Sequence, residues 1–322
     1  MNFLVTGGAG FIGSHIVEQL LKERAAGLPG SVGVIRVVDN LSTGHIENIS
    51  PFQGQIEFTQ GDLLDDAVRE RAVQGVDVIL HQAAIPSVPR SVDRPVESHF
   101  HNAHVTLLLL DSARRSGVKR LVYAGSSSAY GDSERLPKVE TMVPQPLSPY
   151  AASKLASEYY CSVFARCYGL DTAVLRYFNV FGPRQDPNSP YSGVIARFCM
   201  AYCRKEAITI FGDGEQSRDF TYVANAVQAN LLAARAAENL QGGIFNVGCG
   251  ERCSLNDMVR ILNELTGSTI VPTYAQTRPG DVKHSLADIT RAQTILGYRP
   301  AVRFREGLAL TLAWYRQGAA AT

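Results

Sequence analysis

The chain has 322 residues, 45% hydrophobic and 19% charged, with 31 basic and 30 acidic side chains that leave a net charge of +1. That composition belongs to a globular protein long enough to bury a sizeable core. A charge so near zero gives no field to draw nucleic acid or an anionic membrane surface, so any anionic ligand must be held by local groups.

The start, MNFLVTGGAG, enters a strand-like run and a glycine turn without a basic leader segment, so no signal peptide is expected. Apolar stretches such as Leu107–Leu110 are too short to span a bilayer. The six cysteines read as reduced core thiols of a cytoplasmic protein. Two pairs, Cys199/Cys203 and Cys249/Cys253, are spaced by four, but no histidine flanks either. Of His99, His101 and His104, only the last two share a helix face, and no metal site is expected.

In chain order, strands are predicted at 2–6, 34–39, 56–62, 76–84, 120–127 and 171–178. Their near-continuous apolar character suits a parallel sheet covered on both faces. Helical patterns fall between them at 11–24, 65–73, 95–116 and 148–168, with a loop insertion at 24–33. The alternation predicts an α/β fold with a doubly wound parallel sheet. After about residue 177 come loops rich in Gly, Pro and Arg (FGPRQDPNSPYSG, FGDGEQSRDF, TRPGD) and helices at 191–204 and 254–265. We expect a sheet domain over 1–176 and a smaller lobe over 177–322, with part of 220–247 returning to the first.

VTGGAGFIGSHIVEQLL places Gly7, Gly10 and Gly13 between a strand and a helix. Such a turn lets the backbone of Gly10, Phe11, Ile12 and Gly13 approach a pyrophosphate at the positive end of the helix. Asp39, at the tip of the second strand, can accept from an adenosine ribose and would repel a 2′-phosphate, which favours NAD over NADP. Asn40 follows it. Asp62, with Leu63, is placed after the third strand to meet the adenine, and small Ala83 and Ala84 let the dinucleotide lie close to the fourth. Further on, SPYAASKLASE sets Tyr150 and Lys154 four residues apart, on one helix face, with Ser148 as N-cap and Pro149 in the first turn.

TGGAGFIG, the Asp39-Asn40-Leu41 tip, HQAA at 81–84, the serines before Tyr130-Gly131, and Tyr150-x-x-x-Lys154 together resemble an extended short-chain dehydrogenase/reductase. RYFNVFGPRQ and GDGEQSRDF extend the resemblance to its nucleotide-sugar 4-epimerase branch and to nearly the whole chain. The resemblance implies a Rossmann sheet, bound NAD, a homodimer and a UDP-sugar substrate. It implies that Tyr150 takes the proton of the sugar 4-hydroxyl as hydride leaves C4, and that Lys154 and the nicotinamide lower the phenol's pKa. Ser126, four residues before Tyr130, is the implied third catalytic group, with Ser127 and Ser128 as substrate contacts. These two serines stand where sister dehydratases and decarboxylases carry acids, which leaves epimerisation through a 4-keto sugar.

The resemblance also puts Asn179 and Arg218 on the diphosphate with Arg278, Asp281 on a ribose, and Val194 and Phe211 around the uracil. Ser285, where glucose-restricted relatives carry tyrosine, leaves space for an N-acetyl group. UDP-GlcNAc and UDP-GalNAc are therefore expected substrates beside UDP-Glc and UDP-Gal. The alternatives are an epimerase confined to plain hexoses, a uronic-acid or pentose 4-epimerase, and a non-catalytic NAD or nucleotide-sugar sensor. The Ser-Tyr-Lys set argues against the last, because a sensor needs no base.

Overall fold

The computed structural model describes residues 1–27, 32–187, 193–276 and 283–320. Six strands follow one another as the apolar runs predict. They are β1 (Phe3–Thr6), β2 (Ile35–Asp39), β3 (Glu57–Gln60), β4 (Val78–His81), β5 (Arg120–Ser126) and β6 (Asp171–Tyr177). Between them run α1 (Phe11–Ala25), α2 (Asp66–Val73), α3 (Val88–Asp93), α4 (Pro95–His99), α5 (Val105–Arg115) and α6 (Pro149–Tyr168). The second lobe opens with β7 (Val180–Phe181), α7 (Val194–Arg204), β8 (Thr209–Phe211), β9 (Ser217–Arg218) and β10 (Thr221–Tyr222). Then come α8 (Val223–Arg235), β11 (Gly243–Val247), β12 (Cys253–Ser254), α9 (Leu255–Thr266), β13 (Thr273–Ala275) and α10 (Phe304–Ala320).

The central sheet has seven strands in the order β11-β6-β5-β4-β1-β2-β3, all parallel. Chain order reverses between β1 and β4, and the carboxyl ends of the strands there form the crevice in which such sheets bind ligands. Successive side chains of each strand point to opposite faces. Phe3 and Val5 join Ile16, Val17 and Leu20 of α1 and Leu231 of α8. Leu4 joins Leu109 and Leu110 of α5 and Phe164 of α6 on the other face. β1 and β4 are buried throughout, but β3 is exposed at both ends. The sequence reads β3 as buried; as the edge strand it has a neighbour on one side only.

The patterned stretch 95–116 is helical without a break to Arg115, but it changes its period on the way. α4 passes through a π turn at Phe100–His104 into α5. Asn102 in that turn is buried, with its side chain tied both to the loop after β4 and to α6. Its Oδ1 accepts from Ile85 N at 2.8 Å, and its Nδ2 donates to Ser153 Oγ of α6 at 3.1 Å. The second lobe packs Ile195, Phe198 and Cys199 of α7 against Met258 and Leu262 of α9 and Leu308 and Leu312 of α10. Three two-stranded pairs, β7 with β10, β8 with β13 and β9 with β12, complete it. From it the chain returns to the sheet, with α8 on one face and β11 beside β6. In the insertion expected at 24–33, residues 28–31 lie outside the described residues.

Candidate active site

Three glycines shape the turn between β1 and α1, for different reasons. Gly7 has φ +67°, and a Cβ there would stand 2.7 Å from Ala83 N. A Cβ on Gly13 would stand 2.2 Å from the Gly7 carbonyl oxygen, so the helix can enter this close to the turn only without one. Gly10 is the N-cap of α1, and a Cβ there would meet only Gly7 O, at 3.1 Å. No side chain caps α1 and no acid occupies its first turn, so its positive end faces the crevice with backbone donors. Phe11 and Ile12, the first two residues of α1, are half-buried there. This cradle, with small Ala83 and Ala84 beside it, fits the pyrophosphate of a dinucleotide.

Asp39 closes the far side. Its carboxylate accepts from Ala9 N at 2.9 Å and Leu41 N at 2.8 Å, and burial pushes its carboxyl up from the usual range. Those bonds hold Leu41 at φ +57°, a conformation uncommon outside glycine. Asn40 Nδ2 donates to Asp62 Oδ2 at 2.9 Å, which joins the tips of β2 and β3, and Leu63 is buried just behind. Under the cradle, Thr6 Oγ1 accepts from Ala83 N at 3.2 Å and lies 2.7 Å from His81 Nδ1. Burial holds His81 down to about 3, so it stays neutral.

The predicted catalytic groups converge beside this cradle. Ser148 caps α6 by accepting from Ala151 N at 3.1 Å, with Pro149 in the first turn. Tyr150 is therefore fixed at the helix start, half-buried, with its phenol close enough to Ser126, at the end of β5, for the serine to favour its charged form. Of the three serines, Ser126 is the one beside Tyr150. Ser126 Oγ also accepts from Ser128 Oγ at 2.8 Å and Ser128 N at 3.2 Å, while Ser127 is half-buried in the turn. Lys154, one turn on, donates from Nζ to Ala124 O at 2.9 Å and lies 4.9 Å above the Tyr123 ring. Burial pulls the Lys154 ammonium down to about 8.

The chain's own groups set only part of the electrostatics of Tyr150. Burial pushes the phenol above its ordinary value, and the opposing effect comes from Ser126 and not from Lys154. The ammonium is turned toward the Ala124 carbonyl. The protein's own groups thus keep Tyr150 protonated.

Across the crevice, in the second lobe, a cavity of about 430 Å³ is lined by Asn179, Val194, Phe211 and Arg218. Asn179 has φ +34°, and its Nδ2 donates to Asp219 O at 3.1 Å and lies 3.4 Å from Ser285 Oγ. Arg218 donates to Lys283 O at 2.9 Å. Ser285 sits on a segment pinned from both sides. Its own N–H donates to Ser217 O at 3.0 Å, Lys138 N donates to Leu286 O at 2.7 Å, and Ala287 N donates to the buried Asp219 carboxylate at 3.1 Å. Arg278 and Asp281 lie outside the described residues.

The same cavity contains residues the sequence reading passed over: Gln185, Gln216 and Arg197. The side-chain oxygens of both glutamines are buried without a hydrogen-bond partner, acceptors that a ligand N–H or O–H can satisfy. Both stand inside the loops FGPRQ and GDGEQ already singled out, so their position was available and their orientation was not. A larger groove of about 1040 Å³ lies between α1, α8 and α10. Its charges answer one another, as Glu18 with Arg184 and Glu23 with Arg235, and it holds none of the predicted site residues.

Residues 3–248 match the model of a family described as "NAD dependent epimerase/dehydratase family". The chain is 38% identical over 315 residues to a putative UDP-glucose 4-epimerase of Methanocaldococcus jannaschii, covering 97% of this chain and 98% of that one. It superposes with a TM-score of 0.91 on the UDP-glucose 4-epimerase of Thermotoga maritima with UDP-glucose, at 40% identity and 99% and 100% coverage. The UDP-N-acetylglucosamine 4-epimerase of Methanobrevibacter ruminantium, in complex with UDP-N-acetylmuramic acid, gives 0.91 at 39% identity, with 98% of each chain covered. With its glycine cradle, its Asp39 tip and matches of this extent, the chain belongs to the NAD-dependent epimerase/dehydratase family.

Proposed function

We propose that the protein is a cytoplasmic UDP-hexose 4-epimerase that works as a homodimer and interconverts UDP-GlcNAc with UDP-GalNAc as well as UDP-Glc with UDP-Gal. The observation that supports the reading is the proximity of Ser126 and Tyr150, with Lys154 one turn on bonded to the strand that ends in Ser126. NAD, when bound, supplies a hydride acceptor that can return the hydride to either face of a 4-keto sugar. Lys154 orients the nicotinamide ribose. Tyr150, beside Ser126 and with its phenolate favoured by the charge of the positive nicotinamide ring of bound NAD, takes the proton from the sugar O4 and later gives it back. Ser126 donates to the same oxygen as it becomes a carbonyl. Ser127 and Ser128 bring hydroxyls and no acid, which supports epimerisation over elimination or decarboxylation. Two cations, Arg218 and Arg278, suit a diphosphate because a guanidinium binds its oxygens bidentately. Asp281 accepts from a ribose, and Val194 and Phe211 hold the uracil.

The finer choice of sugar rests on Ser285. A segment pinned by Ser217, Lys138 and Asp219 cannot easily yield, so the size of the side chain there decides what fits. Serine leaves the volume that an N-acetyl group needs; tyrosine would fill it. Incubation with UDP-GlcNAc, UDP-Glc and UDP-GlcA with product analysis tests the reading, and conversion of the first two at C4 is expected. Ser285→Tyr should lose the acetylated pair and keep the plain hexoses, since overpacking a rigid wall costs about 1–3 kcal/mol. Unchanged turnover of UDP-GlcNAc in that variant would remove Ser285 from the specificity argument.

A further inference from the structure

Glu158 lies one turn beyond Lys154 on α6, and its side chain is 1% exposed, as is that of Arg176 on β6. A carboxylate buried so fully is tolerated only when paired and hydrogen-bonded. Arg176 supplies Nε at 3.1 Å and Nη2 at 2.7 Å to Glu158 Oε2. The backbone amide of Ser126 is close enough to this carboxylate to favour its charged form. Gly125 makes room for it, because a Cβ there would come within 3.1 Å of Glu158 Oε1. Arg176 in turn stacks 4.7 Å from the ring of Tyr130, in the turn that Ser126 caps. One carboxylate therefore joins the helix carrying Tyr150 and Lys154 to the strand end carrying Ser126.

We propose that Glu158 is a positioning residue of this active site, bracing Ser126 against α6 and acting as the counter-charge that keeps Lys154 an ammonium. The inference rests on the roles given above to Ser126, Tyr150 and Lys154. The groups facing Lys154 are Tyr150, Glu158 and Cys161 on α6, Tyr123 on β5 and His81 on β4, with Arg176 of β6 behind Glu158. His81 is neutral, and burial pushes the Cys161 thiol and the Tyr123 phenol up, so neither is ionised. Burial pushes the Glu158 carboxyl up as well, but the paired Arg176 guanidinium opposes it. Among the described residues Glu158 is therefore the one anion in this set, and it leads the effects that resist the burial of Lys154. Two cations share it. Arg176 cannot release a proton, whereas Lys154, already down to about 8, can. Removing the negative charge leaves Lys154 beside an unanswered guanidinium and lowers its pKa further. The lysine charge is then lost as pH rises through a lower value than in the parent.

The test uses the full chain with its bound cofactor. Lysines labelled with ¹³C at Cε are titrated by NMR, with Lys154→Arg identifying the Lys154 signal, and kcat is measured over the same pH range. In the parent, Lys154 should titrate near 8, with an alkaline limb of kcat at the same place. Glu158→Gln should move both down by about one pH unit or more, the effect of removing an opposite charge at close range. Glu158→Asp, which keeps the charge on a shorter stem, should leave the titration near the parent value while lowering kcat through Ser126. If Glu158→Gln alone does not fold, it is combined with Arg176→Gln and read against Arg176→Gln alone, a comparison that removes only the carboxylate's charge and should again move the Lys154 titration down. A Lys154 titration unmoved in the folded Gln variant would overturn the inference, as would an equal shift in the Asp variant. Failure of the catalytic reading looks different: Tyr150→Phe would then keep its turnover whatever Lys154 does.

Discussion

Tyr150 is the residue on which the chemistry turns, and it reaches Ser126 because Ser148 and Pro149 fix where α6 begins. Tyr150→Phe keeps the ring and the helix and removes one hydroxyl. The expected result is a loss of 10²–10⁴-fold in kcat, with circular dichroism and bound NAD unchanged. Near-normal turnover would mean that another group moves the O4 proton. The Tyr150 and Lys154 pair was legible in the sequence because its members are four residues apart and helix geometry alone brings them to one face. Glu158 shares that spacing from Lys154, but its meaning depends on Arg176, 18 positions away on another element. No periodicity links the two; only the packing of α6 on β6 does. Nor can spacing show that the Lys154 ammonium is held by Ala124.

At the level of elements, the glycine turn separates what the fold needs from what the ligand needs. Gly13→Ala drives a Cβ into the Gly7 carbonyl, and both atoms belong to backbone that cannot move independently. It should cost about 1–3 kcal/mol of stability and release NAD. Gly10→Ala meets only a 3.1 Å neighbour, so its melting temperature without cofactor should stay close to the parent while NAD retention through gel filtration falls. Equal losses of stability in the two variants would contradict this division. The long parallel strands were read directly from composition, because burial on both faces writes a continuous apolar run. Short β7, β9, β10 and β12, two residues each, are too brief to carry a period. α3 escaped as well, since its six residues hold a proline and little apolar pattern. The π turn at Phe100–His104 left no trace in the hydrophobic spacing, and the contacts of its buried Asn102 with Ile85 and Ser153 are long-range ones that no local pattern carries.

For the whole molecule, the packing of one subunit leaves an apolar face that the proposed homodimer would cover. Leu107–Leu110 of α5 with Tyr159, Tyr160, Val163 and Phe164 of α6 are apolar beyond a single helix stripe and are the candidates for that face. The fold divides this set: Leu109, Leu110 and Phe164 are buried in their own subunit, while Tyr159 and Val163 remain 57% and 46% exposed. Val92 of α3, Val96 of α4 and Phe100 of the π turn are exposed as well, at 66%, 67% and 46%. They lie on helices that pack against α6, so the exposed residues form one neighbourhood instead of scattered singles. Two copies meeting there about a two-fold axis would pair α6 with its symmetry mate and bury residue against like residue. Light scattering at micromolar concentration should give about twice the 35.0 kDa of one chain. Val163→Glu combined with Tyr159→Glu places carboxylates against their own symmetry copies. It should shift the mass to that of one chain without unfolding it, since both side chains point away from the core. A dimer mass retained by this variant would assign the contact to another face.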